Sequence, residues 1–189
     1  MGCVIRYVMR MMVSDEGLAT AAAGGDGDAF ATLLERHYDR IFRMAFRLTG
    51  GADLAEDLTQ DICAALPRKM SGFRGEARFT TWLYRVVFNA AEDARRRAAS
   101  HRKAADGWGD AEIMRREEAD ESAAAVEWLH TAMTELPLEM RETLALTLDE
   151  EMTHADAAQV LGVSEGTVSW RMSEIRKRLR AMKERELQE

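Results

Sequence analysis

Thr153–Gly162, THADAAQVLG, runs directly into Val163–Arg180, VSEGTVSWRMSEIRKRLR, and this join leaves the chain few ways to fold. Thr153 and Asp156 have the Thr-x-x-Asp spacing of a helix N-terminal cap. Ala157, Ala158 and Leu161 then fall on one helical face, and the small alanines let a second helix cross closely. Gly162 stands at the tight turn, Val163 plugs the corner, and Ser164 is placed to cap a second helix. Val168, Met172, Ile175 and Leu179 continue a buried stripe along that helix. The spacing predicts a helix-turn-helix rather than an ordinary helical hairpin.

In such a unit the first residues of the second helix enter the major groove. The exposed candidates are Glu165, Gly166, Thr167, Ser169, Trp170, Arg171 and Ser173. Arg171 suits guanine or phosphate, Thr167 and Ser169 suit phosphate, and a glutamate can accept a hydrogen bond from cytosine. Arg176, Lys177, Arg178, Arg180, Lys183 and Arg185 would follow the DNA backbone, or form a solvated helix face.

The formal net charge of −7 taken as a whole opposes this reading. Asp110–Glu151, however, holds 13 acidic and three basic residues, so it carries −10 and the remainder of the chain +3. Distribution decides nucleic-acid binding, not the total.

The rest of the sequence is helical in pattern. Phe30, Leu33, Leu34, Tyr38, Ile41, Phe42, Ala45 and Leu48 recur at spacings of three and four, ending at Gly50-Gly51. Asp53–Glu56, DLAE, has capping-box spacing and predicts a helix that Pro67 stops. Phe79, Trp82, Leu83, Val86, Val87, Ala90, Ala91 and Ala94 form a third stripe, with Tyr84, Arg85, Phe88 and Asn89 off it. That helix ends in Arg95, Arg96 and Arg97, followed by His101, Arg102 and Lys103. With two prolines and abundant Ala, Leu, Arg, Glu and Met, the expected fold is all-α. We expect two small helical domains: an N-terminal tail over 1–25, a first domain over 26–99, an acidic linker over 100–122 and a second domain over 123–189, opening on a helix near Ala123–Leu136.

Several classes fall away. No Gly-rich phosphate loop, metal-ligand spacing or nucleophile–base arrangement occurs, and His37, His101, His130 and His154 are scattered. No catalytic residue, metal or cofactor is expected. Cys3 and Cys63 lie far apart, which fits a reducing cytosol, and Cys63 reads as a small half-buried hydrophobe. Met1–Val13 is too short to span a bilayer and lacks a signal-peptide cleavage pattern. It reads as a loose tail, or as sequence upstream of a start near Met11 and Met12. No membrane insertion is expected.

Two blocks carry a resemblance. One is AEDLTQDICAAL followed by FRGEARFTTWLYRVVFNAAEDARRR; the other is LPLEMRETLALTLDEEMTHADAAQVLGVSEGTVSWRMSEIRKRLR. In this order, with a variable linker between, they are similar to the extracytoplasmic-function (ECF) group of the sigma-70 family of bacterial sigma factors. The match covers about Asp28–Glu184. The resemblance implies a region 2-like domain that binds the β′ clamp helices of core RNA polymerase and captures and melts the minus-ten promoter element. It implies a region 4-like domain that reads the minus-thirty-five element and touches the β-flap. An anti-sigma factor and a cytoplasmic location follow as expectations. The competing reading is an autonomous helix-turn-helix regulator with a helical sensor domain, which the polymerase-binding block argues against.

By this resemblance Asp57, Gln60 and Asp61 are the core-polymerase contacts, with Leu58 and Ile62 facing inward. Phe73, Arg74, Gly75 and Glu76 would hold a flipped minus-ten base, for which a stacking wall, backbone polar groups and positive charge are needed. Arg78 adds a phosphate contact. Tyr84, Arg85 and Asn89 face promoter DNA, and Arg95 and Arg96, with Arg97, suit the duplex upstream. Phe88 fits either DNA or a neighbouring helix, whereas Trp82 belongs to the core by its stripe. For the minus-thirty-five element the expected residues are Glu165, Thr167, Ser169, Trp170, Arg171, Ser173, Arg176 and Lys177. Asp106, Asp110, Glu112, Glu117, Glu118, Asp120 and Glu121 fit an RNA-phosphate mimic or a plain soluble linker equally.

The sequence also departs from the family pattern. ICAALP replaces the large aromatics common after QD, and Ser169, Ser173 and Glu174 stand where basic or aromatic residues are frequent. A different minus-thirty-five specificity is expected, with Trp170 meeting either DNA or a protein.

Overall fold

The structure is a computed structural model that describes residues 13–104, 128–129, 131–149 and 151–186, with no strand among them. The expected acidic linker residues, Asp106 to Glu121, lie outside the described residues. So do the side chains of His101, Arg102 and Lys103.

Helix α1 is Asp15–Ala23, capped by Ser14, whose side chain accepts from the Gly17 amide. It occupies part of the expected tail. Leu18 and Ala19 are buried, so this stretch packs as structure. A run of small alanines hid the amphipathic pattern: only one large apolar residue, Leu18, lies inside the helix.

Helix α2, Gly27–Thr49, is capped by Asp26 and stopped by Gly50 at φ 78°, a left-handed turn that favours glycine. Its buried face includes Leu33, His37, Ile41, Met44 and Ala45. His37 replaces the expected Tyr38, which is 43% exposed. The His37 Nε2 pairs with Asp15 at 2.7 Å, which makes burying an imidazole tolerable. Burial still pushes its pKa down, against the opposing pull of Asp15.

Helix α3, Ala52–Lys69, starts after Gly51 with no side-chain cap, so the DLAE box does not form. It also runs past Pro67. A proline near a helix end removes only one backbone bond, and the chain here continues into a 3-10 turn, Met70–Gly72. Helix α4, Phe79–Ala104, extends into the expected linker.

In the second half, 131–135 is helical. It is followed by α5, Leu138–Thr147, α6, His154–Leu161, and α7, Glu165–Glu186. Helix α6 has the full reciprocal capping box of Thr153 and Asp156, and Gly162 ends it at φ 67°. Ser164 Oγ accepts from the Thr167 amide at 3.1 Å. Val168, Met172 and Ile175 are buried, as the stripe predicts.

The two halves do not stand apart. Helix α4 packs on α6, and α2 packs on α5. One apolar core runs from Leu18 through Leu83, Tyr84 and Val87 to Leu144, Val160 and Ile175.

Candidate functional site

Along α3 the periodicity sorts side chains cleanly. Leu58 and Ile62 are 4% and 1% exposed, while Asp57, Gln60 and Asp61 face outward. One turn earlier Leu54 is 60% exposed, beside the same polar face. Sequence reading passed over it; its signal was a leucine one turn before Asp57, outside the buried stripe of the helix. The Cys63 thiol, half-buried nearby, is pushed up by burial, which suits a packed side chain rather than a nucleophile.

The loop between α3 and α4 turns at Gly75, φ 71°. Phe73 folds inward and is 8% exposed. Its ring meets Phe79 at 5.7 Å and Trp82 at 5.6 Å, both edge-on. It therefore serves the core and also forms a wall of a cleft of about 120 Å³ lined by Phe73, Arg74, Trp82, Arg85, Gln159 and Val160. The last two belong to α6, so the helix-turn-helix closes the cleft's outer side. Arg74, Glu76 and Arg78 are exposed.

On α4, Arg85, Asn89, Arg95 and Arg96 are exposed, and Arg95 pairs with Glu92 at 2.5 Å. Trp82 and Phe88 are half-buried against the core. Tyr84 departs from expectation. It is 3% exposed because the second domain covers it. Its hydroxyl donates to the Asp149 carboxylate, and burial together with that bond pushes its pKa up.

This contact belongs to a row of bonds between the halves. Arg40 forks onto the Glu151 carboxylate, with Nη1 to Oε2 at 2.7 Å. Arg78 Nη2 donates to the Glu151 carbonyl at 2.6 Å and to Asp156 at 2.5 Å. Thr81 Oγ1 donates to the other Asp156 oxygen at 2.9 Å. Burial alone would raise the Asp156 carboxyl, but bonds from Thr153, Thr81 and Arg78 hold it below the usual range. The bond to Arg40 does the same for Glu151. Further along, Glu142 of α5 meets Glu92 of α4. Burial first, then that carboxylate, pushes Glu142 up to about 7.

On α7, Glu165, Ser169, Trp170, Ser173, Arg176 and Lys177 face outward and Thr167 is partly covered. Ser169 Oγ is 3.0 Å from His154 Nδ1, which ties it to the start of α6. Trp170 is 63% exposed. Arg171 turns the other way: its Nη1 reaches Glu139 O at 3.4 Å and Thr143 Oγ1 at 3.3 Å on α5. The reason is geometric. Arg171 precedes the buried Met172, on the flank of α7 that faces α5, and Thr143 is fully buried beneath it.

Among the described residues no group of three His, Cys, Asp or Glu side chains is placed to hold a metal. No helix among them is long and apolar enough to cross a membrane.

The fold and these faces define a class: two helical domains, the second a helix-turn-helix, each carrying an outward polar or basic face. Residues 33–101 match the family model Sigma-70 region 2, and residues 126–179 match Sigma-70, region 4. The ECF RNA polymerase sigma factor SigM of Mycobacterium tuberculosis is 35% identical over 168 residues, spanning 88% of this chain and 83% of its own. The RNA polymerase sigma factor CnrH of Cupriavidus metallidurans is 30% identical over 179 residues, spanning 89% and 94%. The solved structure of CnrH in complex with the cytosolic domain of CnrY superposes with a TM-score of 0.69 at 25% identity, over 90% of this chain and 97% of that one. The sigma factor RpoE, solved with the anti-sigma factor NepR from Bartonella quintana, shares the fold at a TM-score of 0.73 and 23% identity, over 82% and 96%. The chain belongs to the ECF group of RNA polymerase sigma factors, within the sigma-70 family.

Proposed function

We propose that this protein is a non-catalytic specificity subunit of RNA polymerase. It binds core polymerase and directs promoter-specific initiation from the cytoplasm. The observation that carries this is the pairing of both family domains with the α3 face, where Asp57, Gln60 and Asp61 are exposed while Leu58 and Ile62 hold the core. The first domain takes the minus-ten element along Arg74, Gly75, Glu76, Arg85 and Asn89, with Arg95 and Arg96 toward the upstream duplex. The second takes the minus-thirty-five element through α7. An anti-sigma factor is the expected partner, on the precedent of the sigma factor RpoE, solved with the anti-sigma factor NepR.

The outward face of α7 carries Trp170 with Ser169 and Ser173, the two serines standing where basic or aromatic residues are frequent in the family. Weak autonomous reading suffices for a subunit that the polymerase delivers, since a good base contact contributes only about 1–3 kcal/mol.

The test is reconstitution. Purified protein, core polymerase and a candidate promoter should give a specific transcript. Promoter binding without core, and no transcript with it, would point to an autonomous regulator instead. Asp57→Ala with Gln60→Ala should weaken core binding and leave the helical content intact; undiminished core affinity would remove these residues from the interface.

A further inference from the structure

Helix α1 lies outside residues 33–101, which match the Sigma-70 region 2 model, yet its first turn holds a residue on which the cleft beside Phe73 is built. Two neighbouring carboxylates converge on that residue, Phe79. Glu16 Oε1 accepts from the Phe79 amide at 3.3 Å. Asp15 pairs with His37 Nε2 at 2.7 Å, and the His37 ring meets the Phe79 ring edge-on at 5.2 Å. The buried Phe79 ring lies 5.7 Å from both Phe73 and Trp82, the two aromatics that wall the cleft.

The need for Glu16 arises at the start of α4. Phe79 is the first residue of that helix, so its amide has no partner within it. Arg78 takes the capping position, and its carbonyl accepts from the Trp82 amide at 3.1 Å. A guanidinium, however, has no acceptor to offer an amide. The first turn of α4 carries no acidic residue either. A carboxylate brought in from another helix supplies both the missing acceptor and the negative charge that a helix start favours. Asp15 acts on the ring rather than the backbone. Arg36 fixes it at 2.7 Å, and it in turn holds the buried His37 imidazole against Phe79.

We propose that Glu16 and Asp15 are positioning residues for the capture of a minus-ten base. Together they fix the amide and the ring of Phe79, and Phe79 sets the Phe73 and Trp82 wall on which the base stacks. This rests on the promoter-binding reading above and carries it to a helix that none of its assignments includes. Neither carboxylate needs to touch DNA.

A helix that only adds stability and a helix that positions the wall differ in one respect: the second matters only when a base occupies the cleft. The full-length chain, loaded on core polymerase, is titrated with a fluorescein-labelled candidate promoter fragment. Its minus-ten bases are unpaired by mismatch, and each in turn is replaced by an abasic site. The captured position is the one where that replacement weakens wild-type binding most. Glu16→Ala should weaken binding of the intact fragment about two- to tenfold, the range for one hydrogen bond. Glu16→Gln keeps an oxygen acceptor for the Phe79 amide and should restore most of that loss. On the fragment abasic at the captured position, wild type and Glu16→Ala should bind alike. Asp15→Ala should repeat the pattern through His37. Losses of equal size on the intact and abasic fragments overturn the positioning role, as does wild-type binding that no abasic replacement weakens. Glu16→Ala that binds the intact fragment as tightly as wild type, with specific transcription by the wild type, rejects the proposal and keeps the sigma-factor reading. A wild type that binds the fragment without core and gives no transcript with it rejects that reading, and the proposal with it.

Discussion

Thr81 and Asp156 lie 75 residues apart in sequence and share a hydrogen bond of 2.9 Å across the two domains. Thr81 is 2% exposed, so its hydroxyl has little access to water if the bond is lost. Thr81→Val keeps the shape and removes the donor, which should cost about 1 kcal/mol, the net contribution of one such bond. Asp156→Ala removes more. It strips the carboxylate from the capping box, worth about 1 kcal/mol. It frees Arg78, whose side chain is 47% exposed, so that pair contributes only about 0.2–1 kcal/mol. It also leaves the Thr81 hydroxyl buried without a partner, at about 1–3 kcal/mol. The expected total is about 3 kcal/mol, or a fall in thermal midpoint of roughly 6–12 °C for a chain of this size. In the double variant there is no orphaned hydroxyl, so the combined cost should fall short of the sum by about 1 kcal/mol or more. Urea titrations followed by far-UV circular dichroism measure all four corners of this cycle, and unchanged denaturant slopes license the comparison. Strictly additive costs would mean that the bond is not formed in solution and that the domains dock in some other way.

Three further outcomes are expected. Gly162→Ala should destabilise by about 1–2 kcal/mol through backbone strain alone, because the added methyl meets nothing within 4 Å while φ is +67°; a differential scanning calorimetry midpoint equal to wild type would contradict this. Glu142 has its folded-state pKa pushed up to about 7 from 4.5, so its contribution is fully present below the ordinary value and is lost as pH rises through about 7. Urea midpoints should therefore fall as pH rises from about 4.5 to about 7 and level off above it, and Glu142→Gln should flatten that change. Trp170→Ala should alter stability by no more than about 0.5 kcal/mol yet weaken holoenzyme binding to the minus-thirty-five element at least about fivefold; full retention in a gel-shift titration would assign Trp170 to a protein partner.

Much of the site could be read from local pattern. The capping box at Thr153, the left-handed glycines at 50 and 162, and the split of α3 into Asp57, Gln60 and Asp61 outside and Leu58 and Ile62 inside all depend on groups within about one turn of each other. Helix α1 was hidden because small residues carry little periodic signal. Tyr38 and His37 exchanged places because an aspartate of α1 makes imidazole burial tolerable, and no local rule supplies that partner.

The sequence by itself determined an all-helical chain, the helix-turn-helix, the polar face of α3 and membership of a family whose motifs are short and contiguous. Backbone hydrogen bonds and side-chain stripes act over three or four residues, so these features are written locally. Only the tertiary structure decided that Tyr84 is buried, that Arg78 holds the second domain, and that Arg171 turns toward α5. Each is settled by a partner from 28 to 78 residues away. Closing such a loop costs entropy that only mutual fit of two surfaces can offset, and that fit is a property of the folded pair.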